Sequence, residues 1–452
     1  MTLQERVLSY KDEVVREIQN AVRVRSVKEA ALPGMPFGEG PAKALDHFMD
    51  LAEKLGFKAE KFDNYAMHID MGDGEETLGI LAHVDVVPEG NNWTYPPYGA
   101  EIHDGKIYGR GTLDDKGPAI ISLYAMKALK DSGIKLNKKI RMILGADEES
   151  GSACLKYYFG ELKMPHPEVA FTPDSSFPVT YAEKGAIKAK IVREFNTLDG
   201  LVVNGGNAFN SVANEAVGSI PKSFVGKVEN KNKVTFKEEG DKITFVSEGV
   251  PAHGARPSLG YNAISAFFET LKEFEIKNEE LKEITDFFAN CIKMETDGTS
   301  LGIACDDGET GALTLNIGKI ILENNKFELW FDIRIPSKIK VEEIVEKLKK
   351  SIEDNKFNCL IHSTTNPLYA DREGFLVKTL MEAYQDVTGD MESKPKAIGG
   401  GTYAKQTKNC VAFGALLASQ EDRFHQRDEY LEISKIDTLL KIYVESIYRL
   451  AR

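Results

Sequence analysis

Apolar runs that end in an acid or a histidine recur along this chain, and they constrain its fold more than any other feature. Leu78-Gly79-Ile80-Leu81-Ala82 leads into His83-Val84-Asp85, the run 139–145 into Asp147-Glu148-Glu149, and the run 168–172 into Pro173-Asp174. Short apolar runs bounded by turn residues read as buried strands. Before and between them lie helical patterns at 3–24, 41–56, 119–129 and 152–159. In the second, Leu45, Phe48, Leu51 and Leu55 share one face and Gly56 ends it; the third has Pro118 in its first turn. Strands alternating with helices predict an α/β domain with a mainly parallel sheet, whose sites lie at the carboxyl ends of its strands. His83, Glu148 and Asp174 fall at such ends.

From about Lys184 the texture changes. A Lys-, Glu- and Asn-rich stretch at 229–241 precedes an alternating run at 242–247 and a helical pattern at 262–274. Strand patterns return at 313–317 and 327–333, with an amphipathic helix at 341–352. This reads as a separate α+β domain. The last block, with a helix at 375–388 and a final helix from Ile433, has to rejoin the first domain, because His425 is otherwise a ligand without a site. The expected organisation is a catalytic domain at 1–183, an inserted domain at 184–366 and a return to the catalytic domain at 367–452. Two domains suit 452 residues.

A net charge of −13 argues against a nucleic-acid partner, which needs a basic surface. The five cysteines, Cys154, Cys291, Cys305, Cys359 and Cys410, are dispersed with no C-x-x-C, as in a reducing compartment. Residues 1–22 lack an apolar signal core, and no run nears the roughly 20 residues that span a bilayer. A soluble cytoplasmic protein with no membrane partner is expected.

Each polar stretch also has a plain reading. His83-Val84-Asp85 suits a surface turn; alternatively, residues two apart on a strand share a side, so Asp85 can orient the His83 imidazole. Asp114-Asp115, after Gly109-Arg110-Gly111, suits a helix cap; the adjacent acids disfavour a phosphate loop. Asp147-Glu148-Glu149 suits a solvated turn, Asp174 an Asx turn and His425 an exposed position. Taken jointly, two histidines and several carboxylates, with a spare acid beside two ligand positions, suit a two-metal hydrolytic site.

The ordered set resembles the dinuclear zinc aminoacylase–carboxypeptidase–dipeptidase superfamily, and most of all its bacterial dipeptidases of the PepV (carnosinase-like, Xaa-His) type. It comprises His83-Val84-Asp85, Gly109 to Gly117, Asp147-Glu148-Glu149, Asp174, Asn210, Pro251-Ala252-His253-Gly254, Phe331-Asp332-Ile333-Arg334, Gly399 to Ala404 and Glu421 to Glu429. The resemblance spans essentially the whole chain. It implies an α/β/α sandwich with an inserted α+β lid, and two divalent metal ions, zinc foremost with manganese or cobalt as alternatives. By resemblance Asp114 bridges the metals, with His83 and Asp174 on one and Glu149 and His425 on the other. Asp85 orients His83, and Glu148 is the acid/base. Asn210, His253 and Arg334 reach the substrate from the lid, and Gly400, Gly401 and Thr402 hold its carboxylate end. Relatives often carry arginine where this chain has Lys405, and lysine cannot copy a bidentate contact.

The expected activity is hydrolysis of unblocked dipeptides through a metal-bridged water, with Glu148 as general base, His253 as oxyanion donor and Arg334 pairing with the substrate carboxylate. His253 also suits a plain turn before Pro257. An N-acyl amino acid deacylase or carboxypeptidase would use the same metal core. A non-catalytic metal- or peptide-binding protein would need the ligands but has no use for a spare base at Glu148. A long lid on one chain suggests a monomer.

Overall fold

Parallel pairing is what gathers the acidic turns at one sheet edge. In the computed structural model, which describes residues 1–452, the chain divides into two units. One comprises Met1–Tyr181, Ala370–Lys396 and Gly401–Arg452, and the other Ala182–Tyr369 with Ala397–Gly400.

The sheet of the first unit runs in the order Lys58–Phe62, Ala66–Met71, Lys139–Gly145, Thr77–His83, Val169–Thr172, Cys410–Ala412. The last four strands are mutually parallel, and the first two are antiparallel additions. Thr77–His83 and Lys139–Gly145 are buried from their second residue onward, as strands covered on both faces must be. Helix Lys116–Ser132 is buried nearly all round and packs on Thr77–His83 and on the terminal helix Ile433–Ala451. Gly133, at φ 67°, ends it in the left-handed region. Helix Glu39–Lys54 covers the first two strands. No helix is long and apolar enough to cross a membrane, and all five cysteines are free.

The second unit is one antiparallel sheet of eight strands. Their order is Val234–Glu239, Lys242–Glu248, Glu215–Pro221, Val202–Gly205, Thr314–Glu323, Lys326–Ile335, Gly185–Glu194, Asn358–Thr365. Alternation divides the faces. Phe327, Leu329, Phe331, Ile333 and Ile335 enter the apolar core, together with Phe267, Phe268, Ile284 and Leu348 from helices Ala263–Leu271, Glu279–Phe287 and Val341–Asp354. Glu328, Trp330, Asp332 and Arg334 consequently share the opposite face. The fold is therefore α/β with an inserted α+β unit, the expected class.

Local differences from expectation have local causes. The pattern at 3–24 breaks at Ser9–Tyr10 into helices Leu3–Leu8 and Lys11–Arg23. That at 152–159 is a single turn, Ala153–Leu155, widening into a π-helical segment, Lys156–Glu161. The polar stretch at 229–241 holds the strand Val234–Glu239, whose Lys and Glu side chains suit its place at the sheet edge.

Candidate metal centre

Three parallel strands deliver their polar tips together. Thr77–His83 ends on His83, Lys139–Gly145 leads to Glu148 and Glu149, and Val169–Thr172 leads to Asp174. His83 is fully buried. Its Nδ1–H donates to the backbone carbonyl of Asp85 (2.9 Å), which leaves Nε2 facing Asp114 Oδ1 at 2.9 Å and Asp174 Oδ2 at 3.9 Å. The Asp85 carboxylate lies 3.5 Å from the same Nδ1 and also accepts the backbone N–H groups of Glu148 (2.9 Å) and Glu149 (3.1 Å). Asp85 therefore fixes the turn that carries the two glutamates, and its own backbone carbonyl holds the imidazole beside its carboxylate.

Asp114 precedes helix Lys116–Ser132, and its carboxylate stands between two imidazoles. The other oxygen, Oδ2, meets His425 Nε2 at 2.9 Å, and His425 also lies 3.2 Å from Glu149 Oε1. Single atoms of His83, Asp114 and Glu149 lie within 4.8 Å of one another, as do those of His83, Glu148 and Asp174. Asp115 and Asp147 serve the backbone. Asp115 accepts the N–H of His83 (3.2 Å); Asp147 accepts that of Ala153 (3.0 Å) and pairs with Lys28 (2.8 Å).

His425 reaches this cluster through a pairing that sequence reading did not anticipate. Strand Tyr430–Glu432 pairs with Lys106–Tyr108, itself paired with Glu101–His103. That register puts Glu429 under the turn 110–114. Its carboxylate is fully buried and accepts N–H groups from Gly111 (3.0 Å), Leu113 (2.8 Å) and Asp114 (3.2 Å), while Arg110 Nη1 donates at 2.7 Å. Four residues before Glu429, His425 sits at φ 61°, an uncommon conformation for a residue with a Cβ, of the kind that clusters at functional sites. Tyr403, also fully buried, sets its ring edge-on to His83 at 5.8 Å and its hydroxyl 2.8 Å from Cys154 Sγ.

The electrostatics follow from burial. Burial, then Asp174, pushes the Glu148 carboxyl well up, and burial, then Asp114, pushes Glu149 up. Burial would also raise Asp114, but hydrogen bonds from His425 and His83 hold it below the usual carboxylate range. His425 is pushed up to about 11 by Asp114 and then Glu149. His83 is raised as well, its partners Asp114 and Asp85 overcoming burial. Divalent cations fit this donor set of two imidazoles and the carboxylates of Asp114, Glu148, Glu149 and Asp174, and would neutralise its charge.

In the inserted unit, Asn210, His253 and Arg334 also come together. Ser211 and His253 form a β-bridge, and Gly254 N donates to Asn210 O at 2.8 Å. Arg334 Nη2 meets Asp332 Oδ2 at 2.9 Å. Burial, then Arg334, lowers the His253 pKa. Gly400 belongs to this unit and Gly401 and Thr402 to the first, where Thr402 caps the turn Tyr403–Gln406 by accepting from Ala404 N at 3.2 Å.

The profile of peptidase family M20/M25/M40 matches residues 79–449. The chain belongs to that family. As a family M20 member it is a hydrolase acting on peptide bonds. It is 34% identical, over 99% of both chains, to a Bacillus subtilis (strain 168) protein named "Putative dipeptidase YtjP", and 33% identical to a like-named Staphylococcus epidermidis protein over 99% of this chain and 98% of that one. Among solved structures, human carnosine dipeptidase 1 shares the fold at TM-score 0.59 and 15% identity, covering 99% of this chain and 98% of that one. A Sulfolobus solfataricus metallo-carboxypeptidase of family M20 shares it at TM-score 0.61 and 18% identity, over 97% and 100% of the two chains.

Glu429 generates a prediction. Glu429→Ala leaves Arg110 and three N–H groups without their acceptor, so unfolding stability should fall by about 3–5 kcal/mol. Urea denaturation checks this, and bound metal measured alongside should fall as the Asp114 turn loosens.

Proposed function

We propose that this family M20 chain is a dinuclear metal-dependent dipeptidase of the PepV type, with zinc as the foremost metal. The observation that carries the proposal is the Asp114 carboxylate, whose two oxygens each face a different imidazole at 2.9 Å. That is the disposition a carboxylate bridging two cations requires. His83 and Asp174 are assigned to one cation, Glu149 and His425 to the other. The dipeptidase names of relatives similar over their full length favour a dipeptide substrate. Bound there, two divalent cations would polarise the scissile carbonyl and ease deprotonation of water.

The chain's own groups supply the remainder. Glu148 takes the proton of the attacking water and returns it to the leaving amine; its burial beside Asp174 raises its proton affinity, as an acid/base requires. His253 Nδ1 accepts the backbone N–H of Ala255 at 3.2 Å, so the neutral ring carries its proton on Nε2 and is a ready donor to an oxyanion. Arg334 offers a planar fork to the free substrate carboxylate. Asn210, Gly400, Gly401 and Thr402 complete the substrate contacts.

Apo-protein reconstituted with zinc or manganese and given dipeptides, tripeptides and N-acyl amino acids should cleave free dipeptides alone, and lose that activity on chelation. Hydrolysis of N-acyl amino acids with dipeptides inert would replace the proposal with a deacylase. Glu148→Ala should lower kcat by about 10²–10⁴-fold while both metals remain by elemental analysis; loss of a metal would make Glu148 a ligand. His253→Ala should lower kcat by about 10²–10³-fold with metal content unchanged, and ordinary turnover would remove the oxyanion role.

A further inference from the structure

On the helix-free face of the inserted unit, strand alternation sets Asp332 beside Arg334. Asp332 is fully buried, and the Arg334 side chain is 15% exposed. Asp332 Oδ2 accepts from Arg334 Nη2 at 2.9 Å; its other oxygen has no hydrogen-bond partner. The guanidinium is thus the partner that holds this carboxylate.

Two loops close over the pair. Asp332 lies in register with Asn316 on the neighbouring strand, and the Asn316 amide donates to the carbonyls of Phe209 (2.7 Å) and Ser211 (3.0 Å), on either side of Asn210. Gly254, next to His253, lies so close that a Cβ there would stand 2.9 Å from Asp332 Oδ2 and 2.9 Å from Asn210 Cα. Phe209 stacks on Trp330 at 4.7 Å, sealing the side towards Glu328.

A buried ion pair joined by one hydrogen bond gives little net stability, because desolvation offsets the attraction. What it does supply is position. An arginine side chain loses about 2 kcal/mol of rotamer entropy when fixed. A carboxylate that already grips one amino group of the fork meets that cost before substrate arrives. It also leaves the remaining N–H groups for a second carboxylate. We propose that Asp332 is a positioning residue that fixes the Arg334 guanidinium to receive the free carboxylate of the substrate. It rests on the carboxylate role given to Arg334 above.

The test compares kcat and KM for a free dipeptide and for its C-terminal amide in the metal-loaded wild type, Asp332→Asn and Arg334→Ala. The wild type should prefer the free acid. Asp332→Asn should reduce that preference about tenfold, through KM for the free acid, with the amide changed less than twofold. Equal losses on both substrates, or none, would overturn the role of Asp332. So would failure of both Asp332→Asn and the smaller Asp332→Ser to unfold cooperatively, which would make Asp332 a folding residue. If Arg334→Ala keeps the wild-type preference, it is the carboxylate role of Arg334 that fails, whatever Asp332→Asn does.

Discussion

Asp114 held between His83 and His425 is the contact around which the first unit is arranged. Burying several carboxylates together is strongly unfavourable: two like charges 4 Å apart repel by about 4 kcal/mol even at an effective dielectric of 20. The chain counters this with the two imidazoles and with backbone N–H groups aimed at Asp85, Asp115 and Glu429. Asp85 grips the Glu148–Glu149 turn, Asp115 the backbone of His83, and Glu429 the turn bearing Asp114. The acids thus form two sets. Asp85, Asp115 and Glu429 bond to the backbone and fix shape, while Asp114 meets the two imidazoles.

Much of the first unit was legible because each signal was local. His83, Glu148 and Asp174 each follow a strand that is buried on both faces and so reads as a continuous apolar run, and parallel strands bring such tips to one edge. Glu429 was not legible. It sits in a run of charges, Glu421 to Glu429, where nothing in the spacing sets it apart from solvated neighbours. Its burial follows from the pairing of Tyr430–Glu432 with Lys106–Tyr108, more than 300 residues away, and three-residue strands leave no periodicity to read. The second role of Asp85, holding the Glu148–Glu149 turn, was hidden for a related reason. A His-x-Asp spacing shows that two side chains can share a side, but not that the backbone carbonyl lies nearer than the carboxylate.

The inserted unit was less legible, and the cause lies in its architecture. Strands open on one face carry polar residues at every second position, and at a sheet edge almost throughout, so Val234–Glu239 reads as a solvated link. The same alternation places a charged pair. Phe331-Asp332-Ile333-Arg334 sends Phe331 and Ile333 into the core and Asp332 and Arg334 to the other face, so the packing that anchors the strand also aims its charged pair. A one-residue slip would bury Arg334 among aromatic rings and expose Phe331. The aim of the guanidinium is therefore set by the full length of the strand pairing, with Asp332 governing only its last rotamers. A substitution in the core beneath, such as one at Phe331, would disturb the Arg334 fork only as far as it shifts that register.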